Sequence, residues 1–343
     1  MRIALDATYS IDPQPSGIAI YSREVLCGLA AAHPEIPFLH CYRPKQFRRA
    51  PQSPFPNVRR RLLQPPLPAF RADLFHALNQ RLDARPAART VTTFHDLFVL
   101  TGEYSSREFR SRFAEHARRA ADNSDLIITV SEFTASQVSR LLGFDRSRIR
   151  VVPHGVHAPQ FTPAIKRENL ILFVGALQIR KNVAALVEAF EEVPESWRLV
   201  LAGAPTGFGA SDILKRIEQS RCRERIEIAG YVSAERLQQL YGQATIFAFP
   251  SLDEGFGIPV LEAMAFGVPV ITSNGSALVE VAGDAALLID PCDTGQLARA
   301  LLRLIDNPDL RTELADRGRR RVKEFTWDRS VRETFQVYRE LVK

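Results

Sequence analysis

Strand-length apolar runs alternate with amphipathic helical stretches along most of this 343-residue chain, and that alternation constrains its fold more than any other feature. Arg2–Thr8 reads as a strand and Ile18–Ala32 as a helix. Thr90–Phe94 is a strand ahead of a helix over Arg107–Ala121. Leu126–Val130 is another, with Ser131 standing where a side-chain oxygen caps the helix that follows. Arg148–Val152 completes the set. Apolar runs separated by helices predict parallel sheets covered on both faces.

The alternation breaks once. Pro153–Asn169 contains Pro153, Pro159 and Pro163 and has no periodicity, so it reads as a linker. The pattern then restarts. Leu170–Gly175 is a strand and Asn182–Glu191 a helix, with strands at Arg198–Ala202, Arg225–Ala229, Thr245–Pro250 and Val268–Ser273. From Thr294 onward the chain reads as helical. Length alone favours two domains. The boundaries fall at 1–160 and 161–325, with 326–343 as a terminal helix. Doubly wound domains bind ligands at the carboxyl ends of their strands, so the chemistry is sought in those loops.

Composition narrows the class. No apolar run is long enough to span a bilayer as a helix. Asp6 interrupts the N-terminus before a signal-peptide apolar region could form. Cys27, Cys41, Cys222 and Cys292 have neither metal-ligand nor redox spacing, which fits free thiols in a reducing cytoplasm. The net charge of +6 is uneven: residues 1–165 carry 22 Lys+Arg against 14 Asp+Glu, the remainder 23 against 25. Arg48, Arg49, Arg59, Arg60 and Arg61 mix with Phe55, Leu62, Leu63, Leu67 and Phe70, and Arg107, Arg110, Arg112, Arg118 and Arg119 surround Phe109 and Phe113. Such clusters suit either an anionic membrane surface or a merely solvated face. No nucleic-acid motif accompanies them.

The densest chemical signal is Phe249–Met264. A buried strand runs into Pro250, a loop carries Glu254 beside Gly255, Phe256 and Gly257, and a helix opens near Pro259 with Val260 and Glu262 in its first turns. Glycines let a ligand approach the backbone, and a helix N-terminus suits a phosphate. The two carboxylates could accept hydroxyl hydrogen bonds from a sugar and a ribose; they could equally be a cap and a surface residue. Arg180 and Lys181 precede another helix, where uncompensated cations oppose the helix dipole, so an anion is the expected partner. No Asp-x-Asp and no His/Cys cluster offers a metal site.

These residues together resemble the family 4 retaining glycosyltransferases of the GT-B fold. Glu254 and Glu262 match that family's Glu-x7-Glu motif. Phe173-Val174-Gly175 with Arg180-Lys181-Asn182 is similar to its phosphate-binding segment, and Gly230-Tyr231-Val232 with Leu240-Tyr241 to its base-binding segment. Val152–Val156 resembles the strand that enters the interdomain linker. The resemblance covers essentially the whole chain, most firmly residues 150–290. It implies an α/β protein of two Rossmann-like domains facing across a cleft, with C-terminal helices packing back toward the first.

The resemblance also implies a division of labour: acceptor in the first domain, nucleoside diphosphate sugar in the second. Donor contacts would come from Gly17, Gly175, Arg180, Lys181, Tyr231, Val232, Glu254, Gly255, Phe256, Gly257, Val260 and Glu262. His95, Glu254, Arg180 and Lys181 would serve the reaction, and Asp96 would cap a turn. The implied enzyme is a metal-independent, retaining hexosyltransferase with no cofactor beyond its substrates. GDP-mannose is the first-choice donor, and the acceptor a saccharide or lipid-linked saccharide of polysaccharide or lipopolysaccharide synthesis. The enzyme would be cytoplasmic, or peripheral on the inner face of the membrane. A sugar-nucleotide epimerase and a non-catalytic sugar-nucleotide-binding protein are the rival readings.

Overall fold

A computed structural model describes residues 1–12, 16–64, 70–157, 159 and 166–342. Leu67, Pro163, the end of the loop before Ser16 and the 160/161 boundary lie outside the described residues. The chain divides into two compact units, Met1–Gly155 with Thr326–Lys343, and Val156–Phe325.

The first unit holds seven parallel strands: β1 (Ile3–Asp6), β2 (Phe38–Tyr42), β3 (Val58–Leu62), β4 (Leu74–Ala77), β5 (Arg89–Phe94), β6 (Leu126–Thr129) and β7 (Ile149–Val151), in the order β3-β2-β1-β4-β5-β6-β7. Period-2 alternation divides the core between the two faces. Ile3 and Leu5 face Tyr21, Val25 and Leu29 of the helix Gly17–Ala32. Ala4, Phe75 and Ile127 lie in the other cluster, with Ala117 and Ala120 of the helix Arg107–Asp122 and Ala135 and Val138 of the helix Glu132–Leu142. Ser131 caps that last helix by accepting from the Thr134 N–H at 3.0 Å.

The second unit holds β8 (Glu168–Val174), β9 (Arg198–Ala202), β10 (Ile226–Gly230), β11 (Ala244–Phe249), β12 (Val270–Ser273) and β13 (Ala286–Ile289), all parallel, in the order β10-β9-β8-β11-β12-β13. Each sheet therefore reverses its direction of growth beside its first strand, between β1 and β4 and between β8 and β11. That reversal opens the crevice in which doubly wound folds take ligands.

Only the last of the C-terminal helices joins the first unit. Helices Thr294–Asp306 and Pro308–Val322 belong to the second. The helix Trp327–Leu341 packs on Gly17–Ala32, where Gly28 admits it: a Cβ there would stand 2.4 Å from Val331 Cγ2. Tyr338 on the same helix bonds His76 of β4, Oη to Nδ1, at 2.6 Å.

Candidate active site

The switch point of the second sheet is built by the segments that follow β8 and β11. After β8 the chain passes Gly175 and makes a short 3-10 turn over Ile179–Lys181. It then reverses at Asn182, whose φ of 56° and ψ of 34° place a non-glycine residue in the left-handed region. The Asn182 side-chain amide donates to the Pro291 carbonyl at 2.7 Å, which helps hold that conformation ahead of the helix Val183–Phe190. After β11 comes the loop Ser251–Gly257. The two segments are tied by the Leu252 N–H donating to the Arg180 carbonyl at 2.8 Å.

This tie brings Arg180, Lys181 and Glu254 together. Arg180 Nη1 lies 2.8 Å from Glu254 Oε2, and Lys181 Nζ lies 2.5 Å from Oε1. The Arg180 guanidinium also donates to the Asp253 carbonyl, and Lys181 Nζ sits 4.6 Å from the centre of the Phe249 ring. All three side chains are largely buried. Burial alone would raise the Glu254 pKa, but the charges of Arg180 and Lys181 and their hydrogen bonds outweigh it and bring it down to about 2. Two cations thus converge on one carboxylate.

Glu254 is held from its backbone as well, since its carbonyl accepts from the Ala277 N–H at 3.2 Å. Gly257, at φ 120°, turns the loop into the helix Ile258–Ala265. A side chain there would be strained by its backbone, and its Cβ would stand 2.7 Å from Leu278 Cδ2. Gly255, Phe256 and Val260 are buried around this turn.

Glu262 sits in the middle of that helix. Its Oε2 accepts from the Tyr241 hydroxyl at 2.8 Å, and burial raises its pKa while the tyrosine bond partly offsets the rise. Tyr241 is fully buried between the rings of Phe247 and Phe266. It therefore supports Glu262 from a neighbouring helix, a contact not legible in its position beside Leu240. Tyr231 is 46% exposed just after β10, and Val232 is half-buried.

The sequence reading also missed Gly203. Gly175 N–H donates to the Ala202 carbonyl and Gly203 N–H to the Gly230 carbonyl, both at 2.8 Å, stacking the ends of β8, β9 and β10. A Cβ at Gly203 would stand 2.0 Å from the Gly175 carbonyl oxygen, so the close approach requires glycine.

His95 and Gly17 belong to the first unit. His95 follows β5, and its Nε2 lies 2.9 Å from the Leu78 carbonyl, which only an N–H can satisfy. Nδ1 is then the acceptor and faces His154 Nε2 at 3.4 Å. Burial pushes the His95 pKa down to about 4, with the Leu78 carbonyl acting the other way. The short helix Phe98–Thr101 that follows Asp96 has Leu97 at its cap position. Gly17 is the exposed first residue of its helix, capped by Ser16. The arginines of the first unit are partly spoken for. Arg59, Arg60 and Arg61 form edge strand β3, where Arg60 donates to the Ala50 carbonyl and Arg61 to the Arg60 carbonyl.

Two family models match the chain: Glycosyltransferase Family 4 over residues 17–158, and Glycosyl transferases group 1 over residues 158–321. O-antigen chain mannosyltransferase B of Escherichia coli is 33% identical over 285 residues, 78% of this chain and 74% of the relative. The MMP alpha-(1->4)-mannosyltransferase of Mycolicibacterium hassiacum is 32% identical over 67% of this chain and 57% of its own length. Among solved structures, sucrose-phosphate synthase from Thermosynechococcus elongatus superposes with a TM-score of 0.78 at 23% identity, over 99% of both chains. WaaG, a glycosyltransferase involved in lipopolysaccharide biosynthesis, gives 0.73 at 16%, over 98% of both. At these identities the structures speak for the fold alone, which is GT-B.

Proposed function

The chain belongs to glycosyltransferase family 4, and from that premise we propose that it transfers mannose from GDP-mannose to a saccharide or lipid-linked saccharide during surface-polysaccharide synthesis. The donor choice follows from likeness to relatives named as mannosyltransferases. Transfer proceeds with retention, as the likeness to the family's Glu-x7-Glu motif implies, and without a metal, because the charge needed at the leaving group is supplied by Arg180 and Lys181.

The observation that carries the reading is the cluster of Arg180, Lys181 and Glu254 at the switch point of the second sheet. Two fixed cations side by side suit a diphosphate. As the glycosidic bond breaks, negative charge gathers on the phosphate oxygens, and fixed cations in a site shielded from water stabilise it strongly. A diphosphate that engages Arg180 and Lys181 competes with Glu254 for them. The released carboxylate is then an acceptor for hydroxyls of the transferred sugar. Glu262, held from behind by Tyr241, presents Oε1 to the ribose.

The test is incubation with GDP-, UDP- and dTDP-sugars in the presence of EDTA, with the product's anomeric configuration read by NMR. Transfer of mannose from GDP-mannose with retention is the expected result. Inversion, a metal-restorable loss of activity, or preference for another donor would overturn the corresponding part of the proposal.

A further inference from the structure

Two buried histidines meet beyond the carboxyl ends of the first sheet's strands. His95 follows β5 directly, and His154 follows β7 after Val152 and Pro153. Their rings are stacked, 22° apart in plane, with centres separated by 5.3 Å. Tyr21 of the helix Gly17–Ala32 sets its ring edge-on to His95 at 4.7 Å and tilted to His154 at 5.0 Å. The Tyr21 hydroxyl is itself fixed, 2.8 Å from Thr93 Oγ1. The Trp327 ring lies 5.8 Å from that of His154. Gly155 brings the chain against the start of the terminal helix, where a Cβ would stand 2.2 Å from the Trp327 nitrogen. His154 is thus anchored where the chain leaves the first unit.

Hydrogen bonding decides where the protons sit. Burial lowers the pKa of both histidines, so both rings are neutral at pH 7 and each carries one N–H. His95 donates its own from Nε2 to the Leu78 carbonyl at 2.9 Å. Its Nδ1 is therefore a lone pair, 3.4 Å from His154 Nε2. Two buried lone pairs face to face would leave both unsatisfied, so the His154 proton sits on Nε2 and is donated to His95. The second bond matters because the side-chain torsion that turns an imidazole has broad wells. The Leu78 bond alone holds one atom of the ring; a second bond from another direction fixes its plane.

We propose that His154 is a positioning residue for His95: by donating to Nδ1 it holds the His95 ring in one orientation and keeps that nitrogen an acceptor. The proposal rests on the reading of His95 as a group that serves glycosyl transfer. His154 acts through His95 and not on the substrate. Rate falls steeply when a group at a reacting centre is misplaced by even about 1 Å, so a ring left to turn slows transfer without weakening donor binding.

The test uses the full chain with isotope-labelled histidine, read by nitrogen NMR at pH 7, beside steady-state kinetics. His95→Phe identifies the His95 signals. His154→Phe keeps an aromatic ring against Tyr21 and Trp327 and removes the donor. It should lower kcat about tenfold, as loss of a buried hydrogen-bond partner does, with the donor KM and GDP binding unchanged. The His95 Nδ1 signal should move to the position of a nitrogen that accepts no hydrogen bond. His154→Gln restores an amide N–H at the same reach and should recover both the signal and most of the rate. If His154→Phe does not fold, His154→Asn replaces it, since its amide is one methylene too short to reach Nδ1. An unmoved Nδ1 signal, a wild-type kcat, a loss that falls on KM or GDP affinity, or an equal loss in His154→Gln would overturn the proposal. Undiminished turnover in His95→Phe would overturn it as well, by removing the group that His154 positions. Absence of transfer by the wild-type chain would instead strike the proposed function, while the Nδ1 signal would still decide whether His154 holds His95.

Discussion

The hydroxyl of Tyr241 donates a 2.8 Å hydrogen bond to Oε2 of Glu262, linking the helix that follows β10 to the helix that follows β11. A buried carboxylate is costly unless it is hydrogen-bonded, and this bond keeps Glu262 both oriented and more readily ionised. Tyr241→Phe removes the donor and keeps the ring packing against Phe247 and Phe266. Leaving one buried carboxylate oxygen unsatisfied should weaken GDP binding by about 1–3 kcal/mol. Calorimetric titration checks this, and unchanged affinity would show that Glu262 does not depend on Tyr241 to receive the nucleotide.

The Arg180–Lys181–Glu254 cluster predicts different consequences for its cations and its anion. Arg180→Ala and Lys181→Ala should each lower the rate of transfer, by about 2–4 kcal/mol of transition-state stabilisation. Glu254→Gln should spare GDP binding, because it frees the cations, yet depress turnover with the intact donor. Wild-type rates in the two cation variants would remove the cluster from the mechanism.

The same cluster carries a stability signature. The Glu254 pKa is about 2 in the folded chain against 4.5 unperturbed. A lowered carboxylate pKa stabilises the fold above 4.5, and that contribution disappears as pH falls from 4.5 to about 2, by about 3 kcal/mol. Thermal denaturation across that range should show a shallower acid slope for Glu254→Gln than for the wild type. Parallel slopes would mean that the carboxylate is not held as the geometry indicates.

The fold was legible where burial and periodicity coincide. β8, β9 and β11 are apolar runs buried on both faces, and their sequence alternation with helices announces a parallel sheet. The short strands β2, β4 and β13 were not read from the sequence, and neither was β3, because Val58-Arg59-Arg60-Arg61-Leu62 reads as a basic surface segment. An edge strand needs only one neighbour and tolerates charge along its open side. The ionic pairing within the site was hidden for another reason. Glu254 and Arg180 are 74 positions apart, and only the neighbouring of β8 and β11 makes them partners. The support that Tyr241 gives Glu262 was hidden for the same reason: the two stand on different helices, 21 positions apart, and only the packing of those helices brings them together.

The basic surface of the first unit predicts a salt-dependent affinity for anionic membranes. Arg60 and Arg61 are engaged with backbone carbonyls, so the helix Arg107–Asp122 is the better candidate, with Phe109 46% exposed among Arg107, Arg112 and Arg118. Replacing those three arginines with glutamine should reduce binding to phosphatidylglycerol vesicles in a sedimentation assay. Raising the salt should reduce wild-type binding in the same way, since exposed charges are screened over about 8–10 Å near physiological ionic strength. Binding to neither anionic nor neutral vesicles would mark the helix as a solvated face.

Buried histidines predict how the first unit responds to acid. His76 stands between the Tyr338 and Thr93 hydroxyls at 2.6 and 2.8 Å, and burial, together with nearby His95, lowers its pKa to about 3. His95 is lowered to about 4. In the unfolded chain both take a proton near 6.5, whereas in the folded chain both stay neutral until the pH is far lower. The unfolded state therefore binds more protons between those limits, and stability falls as pH drops from 6.5 toward 4 and then 3. A shift of about 2.5 units at His95 alone amounts to about 3 kcal/mol. His76→Gln should lower stability at neutral pH, because Tyr338 and Thr93 lose a well-placed partner, and should also flatten the decline below pH 6.5. Denaturant melts at pH 7, 6, 5 and 4 separate the two effects. A variant that is weaker at neutral pH but declines in acid as steeply as the wild type would show that His76 takes up its proton without unfolding the helix that Tyr338 anchors.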